Sequence, residues 1–257
     1  MTMVMSKRGL AASRLFGVDL SHYNGKVDWT KLKKSGISFA FFKASEGATL
    51  GDDQFAFNMA QARALKVPCG AYHFFIPATD VDSQVTNFCN QVGKMMPGDL
   101  APVLDCEVPS KWITAPETAA SSQVAWLALT VEQRVDKIVQ WCDGVEKKLG
   151  VTPMLYASPS FISGTLGSSP RLKKYTLWIA NYNVASPTIP APFTTWAFWQ
   201  DSETGTIDGV NGKVDHDYFN GTAAELDSMR YSALPLHARV AKTVGGWFNW
   251  AFGWILG

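Results

Sequence analysis

What this chain does without narrows it before any motif is read. It has no CxxC pair and no cysteine–histidine spacing suited to zinc, since its four cysteines stand apart at positions 69, 89, 106 and 142. Each lies in a segment that reads as a buried strand or an amphipathic helix, so free thiols are expected rather than bridges. An excess of charge of one sign is also lacking. The formal net charge is +1, which gives no field to draw a nucleic-acid backbone, and no nucleic-acid partner is expected. There is no phosphate loop, zinc motif or serine–histidine arrangement, so neither cofactor nor metal is expected. No apolar run ahead of residue 235 is long enough to span a bilayer. The opening MTMVMSKRGLAASRLFG is basic but has no apolar core of the kind a signal peptide carries. The expectation is a protein made in the cytoplasm that reaches any target outside it by a route it does not itself encode.

What is present is apolar and aromatic. Hydrophobic residues make up 47% and aromatic residues 12% of the chain, enough for a sizeable core. Ten tryptophans and seven tyrosines are many for 257 residues, and rings that stack on sugar faces are one reason for such enrichment. The organising stretch is APVLDCEVP at 101–109. Val103-Leu104 between two prolines reads as a short buried strand. Side chains alternate along a strand, so Asp105 and Glu107 point to one side, with alpha carbons roughly 6–7 Å apart, and Cys106 to the other. Two acids at the end of an apolar strand are costly unless solvated, paired or working. Acid/base hydrolysis needs such a pair, one carboxyl held protonated by its neighbour's charge. The plainer alternative is a solvated strand end that caps a loop.

Taken in order, residues 1–14 read as a flexible leader, 15–222 as one domain and 223–257 as a linker and tail. Strands are expected at Leu15–Leu20, Ile37–Lys43, Cys69–Phe75, around Asp105, at Met154–Ala157, Thr176–Tyr182 and Thr195–Gln200, with an eighth at Val214-Asp215. Helices are expected after Asp28, over Asp52–Lys66, over Asp80–Met96 and over Thr130–Leu149, the last stopped by Gly150. A Ser/Thr/Ala-rich connection fills 110–129 and reads as a possible lid. Strands alternating with helices argue for parallel β-α units. Because helices give out after Tyr182, the fold class expected is α/β, an irregular TIM-like barrel with few helices in its last third. Such barrels place their chemistry at the carboxyl ends of the strands. Asp19, Tyr72, Asp105, Glu107, Tyr156, Tyr182, Gln200 and Asp215 all fall near those ends.

Seven stretches in register also resemble glycoside hydrolase family 25, the cell-wall muramidases often called Chalaropsis-type lysozymes. They are GVDLSHYNGKVDW (17–29), FFKASEG (41–47), GAYHFFIP (70–77), PVLDCE (102–107), LYAS (155–158), LWIANY (177–182) and FWQDSETGTIDGVNGKVDHDYF (198–219). The resemblance implies hydrolysis of the β-1,4 bond between N-acetylmuramic acid and N-acetylglucosamine in peptidoglycan. It puts the general acid on Glu107, with Asp105, Asp19 and Asp215 completing an acidic pocket. Retention, inversion and substrate assistance all stay open. Expected substrate contacts are Tyr72, Tyr156, Tyr182, Lys43, Glu46, Trp178, Trp199 and Gln200. Lys43 and Glu46 have the alternative of pairing at the barrel rim, and Trp178 and Trp199 that of being core. His73 reads as a satisfied core histidine.

Three departures from the family pattern stand out. Ile76 takes the place of an arginine, the insert at 110–129 is long, and Asp217 replaces an asparagine in the closing motif, where a helix-capping role is expected. Beyond the match, residues 228–257 carry Arg230, Arg239 and Lys242 and no acid, a local charge of +3 against −2 for the remainder. Residues 235–257 read as a basic, tryptophan-rich amphipathic helix, for a membrane surface, for docking on the barrel or for self-association. A monomer is expected. The setting that fits a muramidase with no evident signal is a phage endolysin released through holin lesions, with a secretion-apparatus toxin as the alternative source. A glycan-binding barrel without catalysis is the competing function.

Overall fold

The structure is a computed structural model and describes residues 14–108 and 123–232. The expected leader before Arg14, most of the 110–129 connection and the whole of the 235–257 tail therefore lie outside the described residues. Among the described residues, nine strands form one sheet. β1 (Leu15–Leu20), β2 (Phe39–Glu46), β4 (Cys69–Phe74), β5 (Val103–Asp105), β6 (Met154–Ala157), β7 (Leu177–Ala180), β8 (Phe198–Gly205) and β9 (Val214–Phe219) follow one another around a barrel. β1 pairs with both β2 and β9 and so closes it, while β3 (Leu50–Gly51) adds a short antiparallel edge to β2.

From β1 to β8 every barrel neighbour is parallel, and β9 runs antiparallel to both β8 and β1. The cause lies in the connections. A parallel return needs a crossover of about a dozen residues or more. Only residues 206–213 link β8 to β9, so the chain turns straight back. This corrects one expectation. Asp215 sits at the start of its strand, not at the carboxyl end, and the reversal brings that start to the rim where the other strands end.

The helices pack outside. α1 (Trp29–Lys34) is capped by Asp28, whose carboxylate accepts from the Lys31 N–H at 3.1 Å. α2 (Phe55–Ala64) and α3 (Val81–Val92) follow β3 and β4. α4 (Val131–Leu149) begins with a reciprocal cap between Thr130 and Gln133 and ends at Gly150, which takes the left-handed φ of 71° that favours glycine. Its Val135, Ile138, Trp141, Cys142 and Val145 are buried against the barrel wall. The short α5 (Ala223–Ser228) ends the described fold. All four cysteines are buried free thiols, as expected.

Inside the barrel, Phe39, Phe41, Trp178, Phe198 and Phe219 fill the interior below the rim. Two glycines make this possible. A Cβ on Gly17 would lie 2.5 Å from the Phe39 ring, and one on Gly70 would lie 2.6 Å from the Phe41 ring. His73 points outward from β4, where Nδ1 meets Ser45 Oγ at 2.8 Å, Nε2 meets Gln84 Oε1 at 3.1 Å, and the ring stacks on Trp141. Burial pushes its pKa down to about 3, so it is a neutral core histidine.

Candidate active site

A cleft enclosing about 810 Å³ opens at the rim where β1–β8 end and β9 begins. Asp19, Tyr72, Asp105, Glu107, Tyr156, Tyr182, Lys43, Glu46, Trp178, Gln200 and Asp215 all line it. Eleven of the twelve residues singled out in the sequence are thus brought together by the fold. β-alternation supplies most of them: Asp19 from β1, Asp105 from β5 and Tyr156 from β6 all face inward, and Asp105 pairs in register with Tyr156. The backbone at Asp105–Cys106 is held on both sides, since Phe75 N–H donates to the Asp105 carbonyl and Cys106 N–H to that of Tyr156. Just beyond, Trp126 Nε1 donates to the Glu107 carbonyl at 3.3 Å.

Trp199 is the exception. Along β8, Phe198 and Gln200 face the barrel interior, so Trp199 between them faces out. There it packs against Trp196 and Tyr218 and donates from Nε1 to the Asn181 carbonyl at 2.8 Å. It is a wall residue, not a substrate contact. Trp178 reaches the cleft floor but is only 2% exposed, wrapped by Phe41, Tyr156 and Phe198. No free ring face remains on it for a sugar. Lys43 and Glu46 pair at 2.6 Å, as the rim alternative had it, and both still line the cleft. A register shift in β2 between Lys43 and Ser45 is what turns Glu46 to the side of Lys43.

The floor is a connected network. The hydroxyls of Tyr156 and Tyr182 both donate to Gln200 Oε1, at 2.7 and 2.6 Å. The Gln200 amide then donates to Asp19 Oδ2 at 2.7 Å. Asp215 stands opposite Asp19 in the β1–β9 register, and the charge of Asp217 adds to burial in raising the Asp19 pKa. Beneath them Trp178 Nε1 donates to Asp217 Oδ1 at 2.9 Å. Asp217 therefore caps no helix. It lies in β9, wholly buried, facing the barrel interior.

Low dielectric and mutual repulsion raise the acids here. Glu107 is half-buried at the cleft surface, and desolvation, then the charges of Asp215 and Glu203, push its pKa up to about 8 against a partial offset from Lys43. Asp215 is raised to about 9 by desolvation and by Asp19. Asp105 is also raised, by desolvation first and Glu107 second, with Lys43 pulling it back. The arrangement can present a protonated carboxyl to a cleft at neutral pH. Among the described residues, no three His, Cys, Asp or Glu side chains gather into a metal-holding group.

Sequence reasoning missed Ser21, Tyr23, Phe74 and Glu203 on the cleft wall, and Asp217 beneath it. Ser21 and Tyr23 lie in the turn that follows Asp19, so their position carried a signal. Glu203 carried none. A register shift in β8 between Gln200 and Ser202 breaks the alternation that would have assigned its side.

The model of the family described as glycosyl hydrolases family 25 matches residues 18–210. Lysozyme M1 of Streptomyces globisporus is 32% identical over 222 residues, which cover 82% of this chain and 69% of that protein. Among solved structures, a bacterial lysozyme from Streptomyces coelicolor superposes with a TM-score of 0.76 at 32% identity, covering 85% of this chain and 97% of the other. The CTP1L endolysin superposes with a TM-score of 0.63 at 27% identity, covering 83% and 69% respectively.

Proposed function

Because this chain belongs to glycosyl hydrolase family 25, we propose that Glu107 is the general acid with which it cleaves the β-1,4 bond between N-acetylmuramic acid and N-acetylglucosamine. The chain is a glycoside hydrolase of the muramidase kind, and bacterial peptidoglycan is its substrate. The observation that carries the assignment is a single one. Glu107 lines the open cleft with its proton held to about pH 8, as Asp215 also does, and it is the glutamate of the Asp105–Glu107 pair on which the family resemblance places the acid. It would deliver that proton to the glycosidic oxygen as the bond breaks. Asp105, Asp19 and Asp215 then orient the 2-acetamido group or a water on the opposite face of the sugar, with Tyr72, Tyr156 and Tyr182 lining the ring's path. Whether the anomeric centre is retained or inverted is read from the product's stereochemistry.

Mass spectrometry of digested muropeptides tests the bond: new reducing ends on muramic acid are expected, and reducing ends on glucosamine would overturn it. Glu107→Gln keeps the side chain's shape but has no proton to give. Its expected loss is roughly two to four orders of magnitude, and a variant that clears cell walls at near wild-type rate would remove Glu107 from the role.

For the biological setting we favour lysis of a bacterial host by a phage-encoded enzyme that acts on the wall after release from the cytoplasm. Likeness to an endolysin supports that reading. A holin gene beside this one is the expected finding, and secretion-apparatus genes there would favour the toxin instead.

A further inference from the structure

Among the described residues, six aromatic side chains line the cleft, and five of them belong largely to its wall. Phe74, Tyr156 and Trp178 are buried, and Tyr72 and Tyr182 are half-buried. Tyr23 differs. It is 57% exposed, the one large exposed ring at the cleft. The hydrolytic step assigned above makes no use of it.

An exposed ring binds well only if it already stands still, because ordering a loose side chain opposes binding. Tyr23 is held from several directions. It sits in a single 3-10 turn, His22–Asn24, directly after β1. The Ser21 N–H donates to Asn24 Oδ1 at 2.9 Å, and Asn24 Nδ2 donates to the Lys213 carbonyl at 3.0 Å, tying the turn to the β8–β9 connection. The His22 ring lies against that of Tyr23, with centroids 4.0 Å apart and planes tilted by 38°. His22 is itself fixed. Its backbone N–H and its Nδ1 both meet Asp52 Oδ2, at 2.9 and 2.7 Å, and that carboxylate is buried. Tyr23 thus has one face backed by an anchored histidine and the other open.

Its place around the barrel separates it from the acid. Tyr23 follows β1, whereas Glu107 follows β5, three strands further round by way of β2 and β4. The ring therefore stands across the cleft from Glu107, not beside it. A pyranose presents a flat face of C–H groups that packs on an aromatic ring, and an open, pre-ordered ring in a glycan cleft suits that face. We propose that Tyr23 is a sugar-stacking platform for a pyranose of the glycan strand outside the pair joined by the cleaved bond, so that it favours strands longer than that pair. The proposal rests on the muramidase reading above for the chemistry of its ligand. Stacking at a distance from the reacting bond holds ground state and transition state alike, so it lowers KM and leaves kcat unchanged.

The test compares Tyr23→Ala and Tyr23→Phe with the unaltered full chain on soluble, peptide-free glycan of four disaccharide repeats. Alanine should raise KM by about 10-fold, the order of one lost ring contact, with kcat within about two-fold. Phenylalanine keeps the ring and should stay within about two-fold of the unaltered protein in both. An unchanged KM in Tyr23→Ala, a fall in kcat at constant KM, or a phenylalanine variant as weak as alanine would each overturn the platform. Calorimetric binding in the Glu107→Gln background then locates the sugar. Adding Tyr23→Ala should weaken binding of the four-repeat glycan by about 10-fold and leave that of the single N-acetylmuramic acid–N-acetylglucosamine pair unchanged. Equal weakening of both would place Tyr23 against the cleaved pair and overturn the assignment outside it. Should Glu107→Gln still cleave, the general-acid assignment fails, and the KM shift of Tyr23→Ala alone decides the platform.

Discussion

Replacing Glu107 by glutamine should make the protein more stable as well as inactive, and more so the higher the pH. Glu107 holds its proton to about pH 8 in the folded chain, against an ordinary glutamate value of 4.5. A proton bound more tightly in the folded state means that stability is whole below about pH 4.5. It is lost progressively as pH climbs toward 8, because the unfolded chain gains by ionising first. At pH 7 the interval above the ordinary value is roughly 2.5 pH units, and at about 1.4 kcal/mol per unit the loss approaches 3.5 kcal/mol. Glu107 is only half-buried, so solvent screening makes this a ceiling. Glutamine does not titrate and escapes the loss. Denaturant unfolding of both proteins at pH 4.5 and pH 7 is the assay. The variant's advantage should grow by up to about 3 kcal/mol between the two, or about 6–12 °C in Tm for a domain of this size. Comparing two pH values cancels any fixed effect of the amide on packing. An advantage that is equal at both, or that shrinks toward pH 7, would refute the claim that this carboxyl is neutral in the folded protein.

Glu203→Gln removes a charge that helps hold the Glu107 proton, so the alkaline limb of the pH–activity profile should move down. Glu203 is exposed, which limits the shift to about a few tenths of a pH unit, and an unchanged or rising limb would exclude it from the cluster. Trp199→Phe breaks the bond to the Asn181 carbonyl and should lower stability by about 1 kcal/mol with KM for solubilised glycan unchanged. A clear rise in KM would return Trp199 to the cleft. Removing residues 235–257 should leave clearing of purified peptidoglycan intact while reducing liposome binding and killing of intact cells. Liposome binding unchanged by the truncation would reject a membrane role for the tail, and an insoluble product would favour docking on the barrel.

The parts of this fold that were legible in the sequence are those where a local rule and the tertiary outcome agree. Thr130 and Gly150 bound α4 as their side-chain chemistry requires, and apolar runs flanked by prolines and glycines located the seven parallel strands. The acids of β1 and β5 follow from alternation alone. What was hidden depends on pairing. The sequence marks β9 only at Val214-Asp215, yet the strand continues to Phe219 with antiparallel partners on both sides. β2 and β8 each carry a register shift, and past such a point alternation assigns side chains to the wrong face. The sides of Glu46 and Glu203 were set there. Trp199 misled for the opposite reason. Its alternation was intact, but a tryptophan between cleft residues looks like a sugar platform until its neighbours are known to face in.

The reversal of β9 ties the integrity of the barrel wall to the charge of the cleft. The seam where the chain closes on itself is the β1–β9 pairing, and it sets Asp19 opposite Asp215 and Gly17 opposite Asp217. Sliding that seam by a single residue would turn both β9 acids outward and bring His216 and Tyr218, which pack with Phe16 on the outer wall, to the inside. Mechanical closure and acid delivery are therefore one event. A barrel that has failed to zip its last strand holds Glu107 and Asp105 in place but lacks Asp215 and Asp217, and Glu107 loses the strongest of the charges that hold its proton. Hydrolytic competence should appear only with the final strand, so that a wall-cutting enzyme is silent until its own fold is complete.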